Sequence, residues 1–374
     1  MRLLVAGGGT GGHLFPGVAV AERWLAAGED RAVAFAGTSR GIEARVVPEL
    51  GHRFFAVRAG AVAGGGLLAK LASLGQVLLG IRDAGAVLRE FDPHVVLGVG
   101  GYASVPVMIR SALARRPTAI QEQNAAPGLA NRLLGRLVRR VFVSFESSLG
   151  HFPAGRAVLT GNPIRASVLS RLDETRRVRA ARGRGASPSV LVVGGSQGSR
   201  FLNEHVPAAV AEWLAKRTSA SECRQAPEIV HQTGAADEAA TRARYQELGL
   251  VAQVMPFIQD MGAAYGAADL VVARAGAGTL SELAAVGAPA VLVPYPHAGA
   301  HQEANARAYE SLGAAVCVTQ AEATTARLAD EIGRLLDDTE RRRRMAAAAL
   351  AAARPRAAEQ IARACADLAL GGTR

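Results

Sequence analysis

The sequence predicts an α/β protein built from two Rossmann-like domains, each a parallel sheet covered by helices. Three observations carry this. Short β-type apolar runs alternate with helical patterns along nearly all of the 374 residues, the pattern of strands joined by helical crossovers. A β run, a glycine turn and a helix open the chain at LLVAGGGTGGHLFPG (Leu3–Gly17), and the same plan returns at VLVVGGSQGSR (Val190–Arg200). Between the two sets lies a charged stretch, Asn162–Ser189, that has the composition of a junction. The expected division is residues 1–161, a linker 162–188 and a second domain 189–374, with the terminal helices after Thr339 either lying on its surface or crossing back to the first domain.

In the first half the expected strands are Leu3–Ala6, Ala32–Ala36, Phe54–Val57, Val95–Leu97, Thr118–Gln121, Val141–Ser144 and Val158–Thr160. In the second they are Val190–Val193, Ile229–Gln232, Ala252–Met255, Leu270–Ala273, Ala290–Val293 and Ala315–Val318. In open parallel sheets ligands bind beyond the carboxyl ends of the strands, so two such sheets with facing strand ends are expected to form a central cleft.

Composition narrows the class. A chain with 49% hydrophobic and 20% charged residues is globular. Its start lacks the plan of a secretory signal, and every apolar stretch is broken before the ~20 residues a membrane span needs. Cys223, Cys317 and Cys365 are scattered, which suggests a reducing compartment and no metal cluster. The net charge of +11 is almost all arginine, since only Lys70 and Lys216 are lysines. Nucleotide bias explains this as well as an attraction for phosphorylated ligands or an anionic membrane surface does. Nothing has the spacing of a nucleic-acid-binding motif.

The first turn, Gly7, Gly8, Gly9, Gly11 and Gly12, leaves backbone N–H groups bare at a helix N-terminus, a setting that suits an anion. It matches G-x-G-x-x-G, yet the acid expected near the end of the second strand is missing, because that strand runs into Thr38, Ser39 and Arg40. A P-loop is excluded too, as His13 stands where its lysine belongs. Four further segments put polar groups at strand ends: VGGYASVP with Tyr102, QEQNAAPG with Glu122 and Asn124, TGNPIR with Arg165, and the long run Arg274–Ala306. In the last, Glu282 is expected in the first turn of a helix, either complementing its dipole or accepting hydrogen bonds from a ribose. Gln302 and Asn305 are neutral partners of the kind a sugar requires. His297 and His301 lack a third ligand for zinc.

Taken together and in order, GGGTGGH, GGY, QEQN, GNPIR, GGSQG, RAGAGTLSEL and PYPHAGAHQEANA resemble the MurG family, bacterial transferases of peptidoglycan synthesis, over nearly the whole chain. The resemblance implies a GT-B fold and an inverting, β-1,4-forming transfer of N-acetylglucosamine from UDP-N-acetylglucosamine to the muramyl sugar of lipid I, giving lipid II and UDP. It implies work at the cytoplasmic face of the inner membrane, with other cell-wall synthesis proteins as possible partners, and no cofactor. Carried over by motif, Thr10, Gly11 and Gly12 lie near the transferred sugar, with Asn124 and Arg165 among the donor contacts. Ser196 lies beside the diphosphate and Ile258 beside the uracil. Ala277, Gly278, Thr279, Leu280, Ser281 and Glu282 form the nucleotide loop, with Glu282 on the ribose, and Gln302 reaches the sugar hydroxyls. His301 departs from members that carry glutamine there.

The residues themselves support compatible chemistry. No D-x-D motif is present to hold a metal, so loop N–H groups and a helix N-terminus, helped by Arg165, are expected to stabilise the leaving diphosphate. His13, directly after the first loop, is the candidate base, because imidazole titrates near neutrality. The alternative is that it fixes the loop or binds the acceptor, with Tyr102 on the same side, and Glu122 is then the second candidate base. Leu67, Leu71, Leu74, Leu78 and Ile81 recur at helical spacing beside Lys70 and Arg82. Pattern alone favours a core-facing helix, and the resemblance favours a membrane-facing patch. Arg136, Arg139 and Arg140 add basic charge. A UDP-N-acetylglucosamine epimerase and a non-catalytic nucleotide-sugar sensor are the competing readings.

Overall fold

The computed structural model describes residues 1–60, 67–181, 187–218, 226–297 and 301–371. They form two compact units, Met1–Arg165 with Pro355–Arg374, and Ala166–Arg354.

In the first unit seven strands, β1 (Arg2–Ala6), β2 (Ala32–Gly37), β3 (Arg53–Ala56), β4 (Val95–Gly98), β5 (Thr118–Glu122), β6 (Arg140–Val143) and β7 (Ala157–Leu159), pair in the order β3-β2-β1-β4-β5-β6-β7. Every pairing is parallel, with Leu3 opposite Val33 on one side and Val95 on the other. Helices α1 (Gly11–Leu25), α2 (Glu43–Glu49), α3 (Leu67–Phe91), α4 (Ser104–Leu113) and α5 (Leu129–Leu134) connect them. The central strands are buried on both faces, which is why β1, β2 and β4 read as continuous apolar runs without alternation.

In the second unit β8 (Ser189–Val193), β9 (Glu228–Gln232), β10 (Ala252–Met255), β11 (Leu270–Ala273), β12 (Ala290–Leu292) and β13 (Ala315–Cys317) form a parallel sheet in the order β10-β9-β8-β11-β12-β13. Helices α6 (Ala166–Leu169), α7 (Leu172–Ala181), α8 (Arg200–Thr218), α9 (Glu238–Glu247), α10 (Met261–Ala267), α11 (Ala277–Val286), α12 (His301–Ser311), α13 (Thr325–Asp337) and α14 (Thr339–Ala352) accompany it. All thirteen strands occur where the sequence predicts them, with ends displaced by no more than a residue.

The two units divide the chain after Arg165 and again before Pro355. The first unit extends beyond β7 through Arg165, and the stretch expected to be a linker contains the helices α6 and α7. Its charge does structural work: Thr175 Oγ1 donates to the Gly262 carbonyl (3.1 Å), Arg176 Nε to Ala285 O (2.9 Å) and Arg179 Nη1 to Tyr265 O (2.8 Å). Residues 182–186 of that stretch, and Cys223, lie outside the described residues. At the other end α15 (Ala357–Ala369) leaves the second unit after Pro355 and joins the first. Its Ile361, Ala362, Cys365 and Leu368 are buried in one apolar cluster with Val18, Trp24 and Val33. Burial pushes the Cys365 thiol up to about 12.

On α3 the buried stripe is Ala84, Val87, Leu88 and Phe91. Leu74 and Leu78, by contrast, are 56% and 60% exposed, so a core-facing origin of their spacing is overturned, while Ile81 is half-buried. The side chains of Leu67 and Leu71 lie outside the described residues. Among the described residues no helix is long and apolar enough to cross a membrane.

Because Ile361 is fully buried in the first unit's core, Ile361→Ala is expected to cost about 2–5 kcal/mol, read as a lowered midpoint in urea denaturation.

Candidate active site

The strand order of each unit reverses beside its first strand, between β1 and β4 and between β8 and β11. Neighbouring loops diverge at such a point and open a crevice at the carboxyl ends of the strands. The two glycine loops lie at these points, whereas Arg165 follows the edge strand β7.

In the first unit the loop after β1 and the loop after β4 lock together by backbone. A Cβ on Gly7 would lie 2.5 Å from Gly100 O, and one on Gly101 would lie 2.6 Å from Gly8 O. Both loops use left-handed φ, +140° at Gly7 and +74° at Gly101, which only glycine adopts at little cost. Thr10 is the N-cap of α1 without a capping side-chain bond, and no acid stands in the first turn. The N–H groups of Gly11 and Gly12 donate to no protein acceptor among the described residues, so this helix end is open to an anion.

His13 sits in the first turn of α1, with its ring against Gly100. Gln123 Nε2 donates to Val99 O (2.6 Å), which turns its Oε1 towards His13 Nδ1 (3.3 Å). An amide oxygen only accepts, so this bond places a proton on Nδ1. Gln123 thus orients the His13 ring, a contact the sequence hides because three polar residues crowd the motif. Tyr102, in the β4 loop, is exposed.

Glu122 is differently disposed. It is 1% exposed. Oε1 accepts from Asn124 N (2.9 Å) and Nδ2 (3.3 Å), and Oε2 from Gly128 N (3.2 Å) and Asn131 Nδ2 (2.9 Å). Enclosed by four donors, this carboxylate shapes the turn that carries half-buried Asn124 and the start of α5. It is not placed to take a proton from an acceptor, and the second candidate base is withdrawn.

A buried acid from the next helix reaches the end of the second strand. Glu43, the first residue of α2, folds back against the end of β2. Its Oε1 accepts from Thr38 N and Oγ1 (both 3.0 Å) and its Oε2 from Gly9 N (2.7 Å).

In the second unit the loop Gly194–Ser199 follows β8, with Gly195 and Gly198 at φ +93° and +75°. Ser196 is exposed at its tip, and the Ser196 and Gln197 N–H groups donate to no protein acceptor among the described residues. Gln232 braces this loop: Nε2 donates to Gly195 O (2.8 Å) while Oε1 accepts from Ile258 N (2.9 Å). Ile258 is buried beside it.

After β11, Arg274 is buried with neutral partners. Nε donates to Ser199 Oγ (2.9 Å), Nη1 to Val293 O and Pro294 O (3.1 and 3.2 Å), and Nη2 to Gln320 Oε1 (2.8 Å). It lies over the rings of Phe201 and Tyr295, and burial pulls it down to about 10 while Tyr295 opposes the shift, so it stays cationic at neutral pH. This fixed charge under the second glycine loop was not singled out from sequence; an arginine directly between a strand end and a glycine turn was the available signal.

Helix α11 begins at Ala277 with Gly276 as N-cap, and Leu280 N donates to Gly276 O (3.0 Å). Glu282 therefore lies in the second turn, not the first, where it cannot complement the dipole effectively. It is buried, and Tyr265 Oη donates to its Oε2 (3.0 Å). Gly278, Thr279 and Ser281 are half-buried, and Ala277 and Leu280 are buried. Gln302 Oε1 accepts from Tyr295 N (3.0 Å). Asn305 does not share that role, because it is fully buried and donates to Ala275 O (3.1 Å). Half-buried Arg165 ends the first unit.

Residues 3–143 match the glycosyltransferase family 28 N-terminal domain and residues 189–361 its C-terminal domain. A UDP-N-acetylglucosamine–N-acetylmuramyl-(pentapeptide) pyrophosphoryl-undecaprenol N-acetylglucosamine transferase of Trichlorobacter lovleyi is 40% identical over 373 residues, 96% of each chain. The chain belongs to the MurG family of glycosyltransferases. A Myxococcus xanthus member of the same name is 42% identical over 98% of this chain and 93% of its own. The crystal structure of Acinetobacter baumannii MurG superposes with a TM-score of 0.79 at 29% identity, over 98% of this chain and 99% of that one. The fold is accordingly that of the GT-B glycosyltransferases, as MurG membership implies.

Within this family fold the loop after β8 is the least tolerant point of the second crevice. A Cβ on Gly198 would lie 1.7 Å from Thr233 O. Gly198→Ala is expected to cost at least about 2 kcal/mol from backbone strain and this contact, measured by urea denaturation.

Proposed function

We propose that this chain transfers N-acetylglucosamine from UDP-N-acetylglucosamine to the muramyl sugar of an undecaprenyl-diphosphate-linked muramyl pentapeptide, with inversion, giving the β-1,4-linked disaccharide lipid and UDP. The observation that carries the reading is identity of 40–42% with transferases named for this reaction over nearly the full length of both chains.

The chemistry divides between the two crevices. In the second unit Glu282, steadied by Tyr265, accepts from the ribose hydroxyls, and the bonds are strong because the acceptor is charged. Ile258 lines the uracil, its N–H already committed to Gln232. The open N–H groups of Ser196 and Gln197, the N-terminus of α8 and the cation of Arg274 beneath them offset the charge that grows on the leaving diphosphate, with Arg165 as a further cation. The amide nitrogen of Gln302, whose oxygen is held by Tyr295 N, donates to sugar hydroxyls. In the first unit Thr10, Gly11 and Gly12 border the transferred sugar, with Asn124 a further donor contact. His13 Nε2 takes the proton of the attacking acceptor hydroxyl, and the Gln123 carbonyl steadies the imidazolium through Nδ1–H. Tyr102 faces the acceptor.

Exposed Leu74 and Leu78 on α3, with the arginine-rich charge of the chain, support seating on the anionic cytoplasmic face of the inner membrane.

Radiolabelled UDP-N-acetylglucosamine and a lipid-linked acceptor analogue test the reaction directly: labelled disaccharide lipid is expected, and epimerised or merely bound donor would overturn the reading. His13→Ala is expected to lower kcat by about 10² to 10⁴ with donor KM nearly preserved and the acidic limb of the pH profile lost. A main effect on acceptor KM with that limb retained would instead assign His13 to acceptor binding. Glu282→Ala is expected to raise donor KM strongly in a folded protein, and unchanged donor affinity would remove Glu282 from the ribose.

A further inference from the structure

Glu43 belongs to none of the roles above, yet it is 1% exposed and accepts three hydrogen bonds at the strand end that borders the first crevice. Its surroundings are built for a carboxylate. A Cβ on Gly8 would lie 2.3 Å from its carboxyl carbon, one on Gly41 2.1 Å from an oxygen, and one on Gly37 2.6 Å from its Cγ. Three glycines, one in the first loop, one ending β2 and one in the connection from β2 to α2, thus leave room for one acid. Among the described residues Glu43 forms no ion pair, and an acid buried without a counter-charge is costly to keep. An apolar side chain would fill the same space without that cost, so mere packing does not account for it.

We infer that Glu43 is a positioning residue for the transfer: its carboxylate occupies the anion seat of the first glycine loop and so fixes the N-terminus of α1, with Thr10–His13, against the end of β2. The geometry carries this. Glu43 Oε2 takes the Gly9 N–H, one residue before the N-cap Thr10 and four before His13. Oε1 binds both donors of Thr38, tying the loop to β2. The loop N–H that would greet a phosphate at Gly9 is thereby filled from within, while those of Gly8, Thr10, Gly11 and Gly12 donate to no protein acceptor among the described residues. At Gly9 the glycine turn of this unit is a socket for the protein's own acid. The inference rests on the proposed function for the part His13 plays.

Glu43→Ala empties the socket in a way that acetate fits and acetamide does not, because the neutral amide presents N–H groups to donors. With saturating acceptor, kcat is expected to fall about 10²-fold, as for a displaced catalytic group, while donor KM stays within about twofold. Amide exchange at Gly9–His13 is expected to accelerate while β8 and β11 keep their protection. Acetate in the buffer is expected to restore both kcat and loop protection, and acetamide neither. Glu43→Gln, which keeps the volume, is expected to show the same kcat loss and an unchanged donor KM should the alanine variant not fold. A kcat within threefold of the parent in the glutamine variant, or loop exchange unchanged in either variant, would overturn the inference. Absence of transfer by the parent protein would overturn the reaction instead, since the exchange measurement needs no turnover.

Discussion

Reversal of strand order beside β1 and again beside β8 is the constraint on which both sites depend. A parallel sheet whose crossovers go first one way and then the other must send adjacent loops apart, and the bare strand ends between them have to be served by backbone. In the first unit the two loops meet main chain to main chain, Gly7 on Gly100 and Gly8 on Gly101, with no space for a Cβ. In the second, Gly198 and Gly234 meet in the same manner. Such contacts leave backbone N–H groups at the starts of α1 and α8 without protein acceptors among the described residues, the setting in which helix ends receive anions.

Three buried glutamates then separate the tasks. Glu122 gathers the turn before α5, Glu43 the first glycine loop, and Glu282, held by Tyr265, stands within the loop assigned to the nucleotide. All three are hydrogen-bonded by neutral donors. A carboxylate in such a setting acts as a rigid multi-point acceptor, and its ability to order several N–H groups at once is what loops rich in glycine otherwise lack.

Much of this was readable beforehand. The thirteen strands announced themselves as apolar runs, and both glycine turns stood out because no other residue tolerates φ near +140° as at Gly7. What stayed hidden depends on contacts between distant parts of the chain. Glu43 lies five residues beyond Thr38, in a stretch that reads as a surface turn, and only the folded α2 brings it back to the strand end. Glu122 and Asn305 have the polarity of ligand contacts, yet their side chains face inward, a choice made by the pairing of neighbouring elements rather than by local pattern. The arginines of residues 172–181 resemble a solvated linker until the carbonyls they cap are seen.

The return of α15 has a consequence for how the chain acquires its shape during synthesis. Domains generally fold as units as they leave the ribosome. The second unit, Ala166–Arg354, is one unbroken stretch and has every residue it needs as soon as it is made. The first unit emerges earlier but lacks the helix that seals Trp24 and Val18 from water. Its seven strands therefore wait, with an apolar face uncovered, until an entire second unit has been translated. The order in which the two units mature is the reverse of the order in which they begin, and the nascent first unit is the stage at which a chaperone has something to hold.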